Sequence, residues 1–179
     1  ISAWIKPETN IRLPNEMIHG MNNEFGLGCV VVPPDGDKLY GQDHRTVGFA
    51  AGINGVCVLE KDSENYPAVL VARTPVSGWT HIAVVYDQGK PKLYLDGQLI
   101  KEGLRSGHII HPGINYPQKR YDVAYFEGDA TEPELSGRAL SANEIKIMSS
   151  EGLPDPELSQ TMKLKQNGSR IYAEVFRNG

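Results

Sequence analysis

Cysteine is nearly absent from this chain: Cys29 and Cys57 are the two in 179 residues. Two are too few for a disulfide framework, so any stability must come from a packed core. Each lies inside an apolar run, GLGCVVV or NGVCVLE. They read as buried small hydrophobes, with one bridge between neighbouring strands left open. Basic charge is also scarce. Lys and Arg number 18 against 22 Asp and Glu, giving a net charge of -4. This argues against the clustered cationic surface that nucleic acid or an anionic membrane demands. No apolar run approaches the ~20 residues that span a bilayer, so membrane insertion is not expected. No Gly-x-Ser-x-Gly elbow, phosphate loop or dinucleotide fingerprint occurs, and no solenoid or propeller repeat.

What the chain does have is short apolar or alternating runs separated by Gly, Pro, Asn and Asp. That texture predicts an all-β sandwich. Strands are expected at 1–6, 16–21, 25–32, 45–52, 56–60, 68–72, 80–87, 92–95, 98–102 and 119–126. Asn54-Gly55, Gln88-Gly89 and Asp96-Gly97 read as hairpin turns, because these pairs tolerate the positive φ that two-residue turns need. Hairpins make consecutive strands antiparallel neighbours, which excludes a βαβ fold. One helix is expected, opened by the capping box Ser141-Ala142-Asn143-Glu144 and stopped near Gly152.

The domain is expected to occupy 1–152. After Pro154 and Pro156 the texture changes, and 161–165 with 170–176 around Asn167-Gly168 read as a further hairpin. Residues 153–179 are thus a Pro-rich joint plus hairpin, either the start of a following domain or the cover of a sheet edge. The first residues already read as strand and the last as strand running into a turn, so both ends look cut from a longer chain.

Four segments carry a resemblance. Ile1–Pro7 (ISAWIKP), Gly78–Tyr86 (GWTHIAVVY), Leu93–Leu99 (LYLDGQL) and Arg138–Ile145 (RALSANEI) resemble, in order, four motifs of laminin-G-like domains. The fold this implies is the two-sheet antiparallel jelly roll of the concanavalin A-like type. Gly52–Val56 together with Gly78–Tyr86 is similar to such modules inside large secreted bacterial glycoside hydrolases. The resemblance therefore implies a secreted, periplasmic or cell-surface setting, neighbouring domains of a parent enzyme, and carbohydrate as ligand. Trp4, Trp79, Tyr86 and Tyr94 read as aromatics that fill the space between the two sheets, and His81 as a core histidine.

Three constellations could carry chemistry. A sugar site wants aromatics and planar polar groups on loops, which nominates Tyr40, Asp43, Asn65, Tyr66, Asn115 and Tyr116. The loop PPDGDKLYGQDH holds Asp35, Asp37, Asp43 and His44, and calcium is the cofactor its carboxylates suggest. A second loop, EKDSEN, holds Glu60, Asp62 and Glu64. His108 and His111 have a pair spacing for zinc, but no third ligand follows at a conventional interval. Glu127, Asp129 and Glu132 match the E-x-D-x-x-E spacing of jelly-roll endo-glucanases, in which two carboxyls flank the scissile bond. Against that reading, Gly, Ala and Thr stand where those enzymes place bulky apolar residues. The expectation is thus a non-catalytic carbohydrate-binding accessory domain, then a structural or interaction module, then a glycoside hydrolase.

Overall fold

The computed structural model describes residues 1–21, 26–113 and 126–153. They form two facing sheets. Strands β1 (Ser2–Pro7), β6 (Thr80–Asp87), β7 (Lys90–Leu95), β8 (Gln98–Glu102) and β10 (Gly128–Ala130) make the first, in the order β10-β1-β6-β7-β8. Strands β2 (Cys29–Val31), β3 (His44–Gly52), β4 (Gly55–Lys61) and β5 (Ala68–Ala72) make the second, and β9 (Ile109–Pro112) joins it through β3. Helix α1 (Gly36–Tyr40) and helix α2 (Ala142–Ser150) complete the described elements. The expected antiparallel sandwich is present, and among the described strands β3 with β9 is the one parallel pair.

Strand alternation builds the core. Ala3, Ile5, Ile82, Val84 and Leu93 of the first sheet face Val47, Phe49, Val56 and Val58 of the second. Phe49 and Ile82 are completely buried, and each such side chain stabilises by about 1.5–3 kcal/mol. The outward faces are covered too. Ile145 of α2 packs on Ala83, Val85 and Tyr94. Ile11, Leu27 and Tyr66 pack on Ala50, Cys57 and Leu59. Helix α2 starts where the capping box predicts: Ser141 accepts from the Glu144 N–H and Glu144 accepts from the Ser141 N–H.

Turn chemistry is local, so it reads well. Gln88 and Gly89 have φ of 49° and 77°, and Asp96 and Gly97 have 47° and 77°, as a two-residue hairpin with left-handed central residues requires. The Asn54 turn is shifted by one. Gly52 pairs with Gly55, so Ile53 and Asn54 are the turn residues and Gly55 opens β4. Asn54 instead pins the N-terminal loop, exchanging two hydrogen bonds with the Ile11 backbone.

Other expectations need correction. Residues 16–21 form no strand. They run beside the β5 edge, where the Glu16 side chain takes the Val71 N–H and Met17 donates to the Ala68 carbonyl. A carboxylate thus supplies a ladder bond that a strand would have made. Residues 25–32 shorten to Cys29–Val31 among the described residues. Most of 119–126, and the joint and hairpin at 154–179, lie outside the described residues. The cysteines do not bridge. Cys29 and Cys57 each pair with Ala50 from opposite sides. Two strand spacings, about 9.5 Å, separate them, and a disulfide spans at most ~7 Å between Cα atoms. Burial, then the nearby Cys29, pushes the Cys57 thiol far up.

Candidate functional site

The second sheet's outer edge is assembled from three separate segments. Gly36 lies flush on the Arg45 and Thr46 backbone, so closely that any Cβ would clash. That contact docks α1 against the start of β3. Gly41, at φ 102°, ends the helix, and Asp43, at φ 63°, turns the chain into β3. Strand β9 pairs in parallel there, with His44 opposite Ile109 and Thr46 opposite His111. Residues 44 and 46 share a face, so His111 lands beside His44.

Their rings meet edge to edge. His44 Nδ1 and His111 Nε2 are 2.7 Å apart, and the ring planes differ by only 12° with centroids 4.9 Å apart. The hydrogen bond therefore lies in a common plane. Tyr40 stacks on the face of His111, centroids 3.9 Å apart and planes 14° apart. One face of the tyrosine is thus supported, while the residue remains 48% exposed. Burial, then the adjacent His44, holds His111 below the ordinary histidine value, which favours its neutral form. Exposed Leu39 and Ile109 lie on the two elements that frame this ring.

Behind the edge, the sandwich end closes with a polar layer. Arg45 and Glu60 are completely buried and 3.5 Å apart. Arg45 Nε donates to Asp62 at 2.7 Å and its Nη1 to the Ile18 carbonyl. Glu60 accepts from the hydroxyls of Tyr86 and Ser106, each at 2.9 Å. Burial, then the Glu60 charge, drives the Tyr86 hydroxyl well up, so it stays a donor. Burial alone would raise the Asp62 carboxyl. Hydrogen bonds from Arg45 and from the Glu64 and Asn65 amides outweigh that and lower it.

The proposed calcium ligands do not converge. Asp35 is held by Lys38 and Lys61. Asp37 bonds the Ser63 hydroxyl and N–H, which lowers its carboxyl. Among the described residues no three acid, histidine or cysteine side chains gather as a metal site. Asp35 and Asp37 are thus already engaged by lysine and serine. His108 does not pair with His111 either; it meets His19 edge to face at 6.3 Å.

Residues 1–146 match the profile of the concanavalin A-like lectin/glucanases superfamily. The chain belongs to that superfamily. No curated protein sequence gives a significant match. Among solved structures, the chain is similar to Domain 4 of AbnA, a GH43 extracellular arabinanase from Geobacillus stearothermophilus, solved in complex with arabinotriose. Identity is 16%, the TM-score 0.45, and the match covers 83% of this chain and 64% of that one. It thus spans less than two thirds of that neighbour's length. An S-layer domain-containing protein from Clostridium thermocellum is 17% identical with TM-score 0.31, the match covering 76% of this chain and 70% of that one.

In this concanavalin A-like domain the remaining nominated residues disperse. Tyr66 is 1% exposed, with its hydroxyl 3.6 Å from Cys29 Sγ. It is a core residue and offers no face to a ligand. Asn65 is occupied structurally: its amide donates to Asp62 and its carbonyl oxygen accepts from the Gly20 N–H. Asn115 and Tyr116 lie outside the described residues. Glu127, Asp129 and Glu132 lie on or beside β10, the edge of the first sheet among the described residues, and Asp129 reaches Lys6 at 3.5 Å. All three side chains are exposed among the described residues. His44 and His111 stand out in the sequence as possible metal ligands, but their pairing with each other is not legible there. The signal was parallel pairing across 67 positions, which no local spacing reports.

Proposed function

We propose that the domain is a non-catalytic carbohydrate-binding accessory module of a larger secreted glycoside hydrolase, with Tyr40 as its stacking platform. The observation that carries this is the half-exposed Tyr40 ring backed by the coplanar His111–His44 pair. A sugar ring presents a C–H face, which packs on an aromatic face, and hydroxyls, which need planar polar neighbours. A platform held by stacking loses little side-chain entropy on binding. The extracellular setting and the parent's reaction belong to the same proposal. Among the described residues no helix is long and apolar enough to cross a membrane.

The test is a broad glycan panel that includes arabinotriose, run on the intact chain and on Tyr40→Ala, with calcium and with a chelator. Binding that falls at least tenfold in the variant, at unchanged melting temperature, supports the platform. A blank panel from folded protein removes it.

A second reading has its own observation. Among the described residues β8 ends the first sheet's strand order and carries exposed Leu99 and Ile100, and α2 beside it exposes Ile147. Such a surface suits packing against a neighbouring domain of the parent. A blank panel combined with protection of 98–102 from hydrogen exchange in the parent would select this reading.

A further inference from the structure

Four of the protein's five histidines lie in two touching pairs, His44 with His111 and His19 with His108. The first pair has the geometry of a proton-controlled device. Its nitrogens face one another at 2.7 Å in one plane. That arrangement needs one N–H and one lone pair between them. With no proton beyond the tautomeric one, the bond forms. A single added proton on a remote ring nitrogen leaves it intact. With both rings doubly protonated, two N–H groups of like charge point at each other and the bond cannot exist. The Tyr40 ring rests on His111, so the platform depends on that bond.

We propose that the His44–His111 hydrogen bond is a proton-gated latch that holds the Tyr40 ring in place at neutral pH and releases it in acid. The ligand consequence rests on the carbohydrate reading; the latch itself does not.

The charges around the pair leave it exposed to this control. On α1 and its cap, Asp35 is matched by Lys38 and Lys61, and Asp37 is held by Ser63. On β4 and the loop after it, Glu60 and Asp62 are both engaged by buried Arg45 of β3. Asp43 precedes His44 in the turn, and His108 on the approach to β9 faces His19. Among the described residues, no carboxylate is hydrogen-bonded to either ring of the pair. A doubly charged pair thus lacks the direct counter-ion that would stabilise it. The sign follows. His111 is held low in the folded state by burial and by His44, so the unfolded chain binds its proton first. The edge keeps its stability above the ordinary histidine value of ~6.5 and loses it as pH falls through the lowered one. Strand β9 keeps its pairing with β3 and the Ile110 core contact when the latch opens, so the release is confined to the ring contacts of His44, His111 and Tyr40.

The experiment is a ligand-free titration of the intact chain, pH 8 to 4.5. Histidine ring nitrogens and Tyr40 ring protons are followed by NMR in the wild type, His44→Gln and His111→Gln. His111 is expected to titrate below 6.5, with the Tyr40 ring shifts moving at the same midpoint. Glutamine keeps a hydrogen bond but removes the second charge, so the His111 midpoint should rise in His44→Gln. An unmoved midpoint, or Tyr40 shifts that ignore His111, overturns the latch. Near-UV circular dichroism at pH 8 confirms folding, and His111→Gln should abolish the Tyr40 transition even if His44→Gln folds poorly. A parallel arm measures arabinotriose affinity at pH 7.5 and 5, where a roughly tenfold loss on acidification is expected. Coupled ring titration with no arabinotriose binding at either pH sustains the latch and removes arabinotriose as a ligand. Binding that is equal at both pH values, alongside coupled titration, overturns the gating of the ligand.

Discussion

Two aromatic–imidazole contacts in this domain have opposite settings. Trp4 and His81 lie on paired central strands, ring centroids 5.3 Å apart, and His81 is 3% exposed. Burial lowers the His81 imidazole and keeps it neutral, against a smaller opposing effect of Asp96. Tyr40 and His111 are closer, at 3.9 Å, yet stand on the open edge of the other sheet. The first contact joins strands that the hairpins and sheet order already hold. The second joins a five-residue helix to a four-residue strand. One belongs to the scaffold; the other is a surface that the scaffold displays. Mutations should separate them into stability and recognition.

The largest effect should come from the polar layer that closes the sandwich beside the edge. Arg45→Leu leaves Glu60 buried with only hydroxyl partners. Breaking a buried ion pair from one side costs about 3–5 kcal/mol. Denaturant unfolding should show that loss with little change in slope. A loss below about 1 kcal/mol would mean that water reaches Glu60, and the layer would not divide interior from edge.

The central contrast comes next. Trp4→Ala should cost about 2 kcal/mol, less than the ~3–5 of a wholly buried ring, and leave glycan binding within twofold. Tyr40→Ala should change stability by no more than ~0.5 kcal/mol and reduce glycan binding at least tenfold. Paired thermal melts and binding isotherms check both. If both variants lose stability alike, the Tyr40 stack is scaffold and the distinction fails.

These two contacts also mark how far the sequence could be read. The Trp4 strand, the Gly78–Tyr86 strand and the Asp96-Gly97 turn are signalled within a few residues, because apolar alternation and positive φ are local requirements. The capping box at Ser141 and Glu144 is similarly local. The Tyr40 platform is not. It depends on Gly36 lying against Arg45 and on β9 pairing in parallel with β3. Nothing near His111 announces His44, and the His-Pro sequence at the end of β9 reads poorly as strand because Pro lacks the ladder donor. Tyr66 failed for a related reason. Its neighbours Asn65 and Pro67 look like loop, but the face it covers belongs to strands far away in sequence. Tyrosine type and turn context nominate a residue; exposure is decided by tertiary packing.

A smaller effect sharpens the same contrast on α2. Ser141→Ala removes the cap from the helix that covers the first sheet, at a cost of about 1 kcal/mol. Glu144, the other half of the box, is held down to about 2 by Arg138 first and then by Ser141. Its contribution is therefore complete above the usual carboxylate value and disappears as pH falls through about 2. Far-UV circular dichroism between pH 5 and 2 should show α2 fraying in acid in the wild type and at higher pH in Arg138→Ala. Glycan binding at neutral pH should ignore both changes, because α2 covers the opposite sheet.

The smallest expected effect is at Asp129. Asp129→Asn removes an ion pair of 3.5 Å between two exposed side chains, and such pairs contribute ~0–1 kcal/mol. Glycosidic cleavage would require two carboxyls flanking the bond, and the non-catalytic reading expects Asp129 to take no such part. The variant should match the wild type in melting temperature, in glycan binding and in the absence of hydrolysis over long incubation with the same panel. Detectable hydrolysis by the wild type that vanishes in Asp129→Asn would reverse the assignment: the first sheet's edge would become the working surface, and the Tyr40 edge an accessory to it.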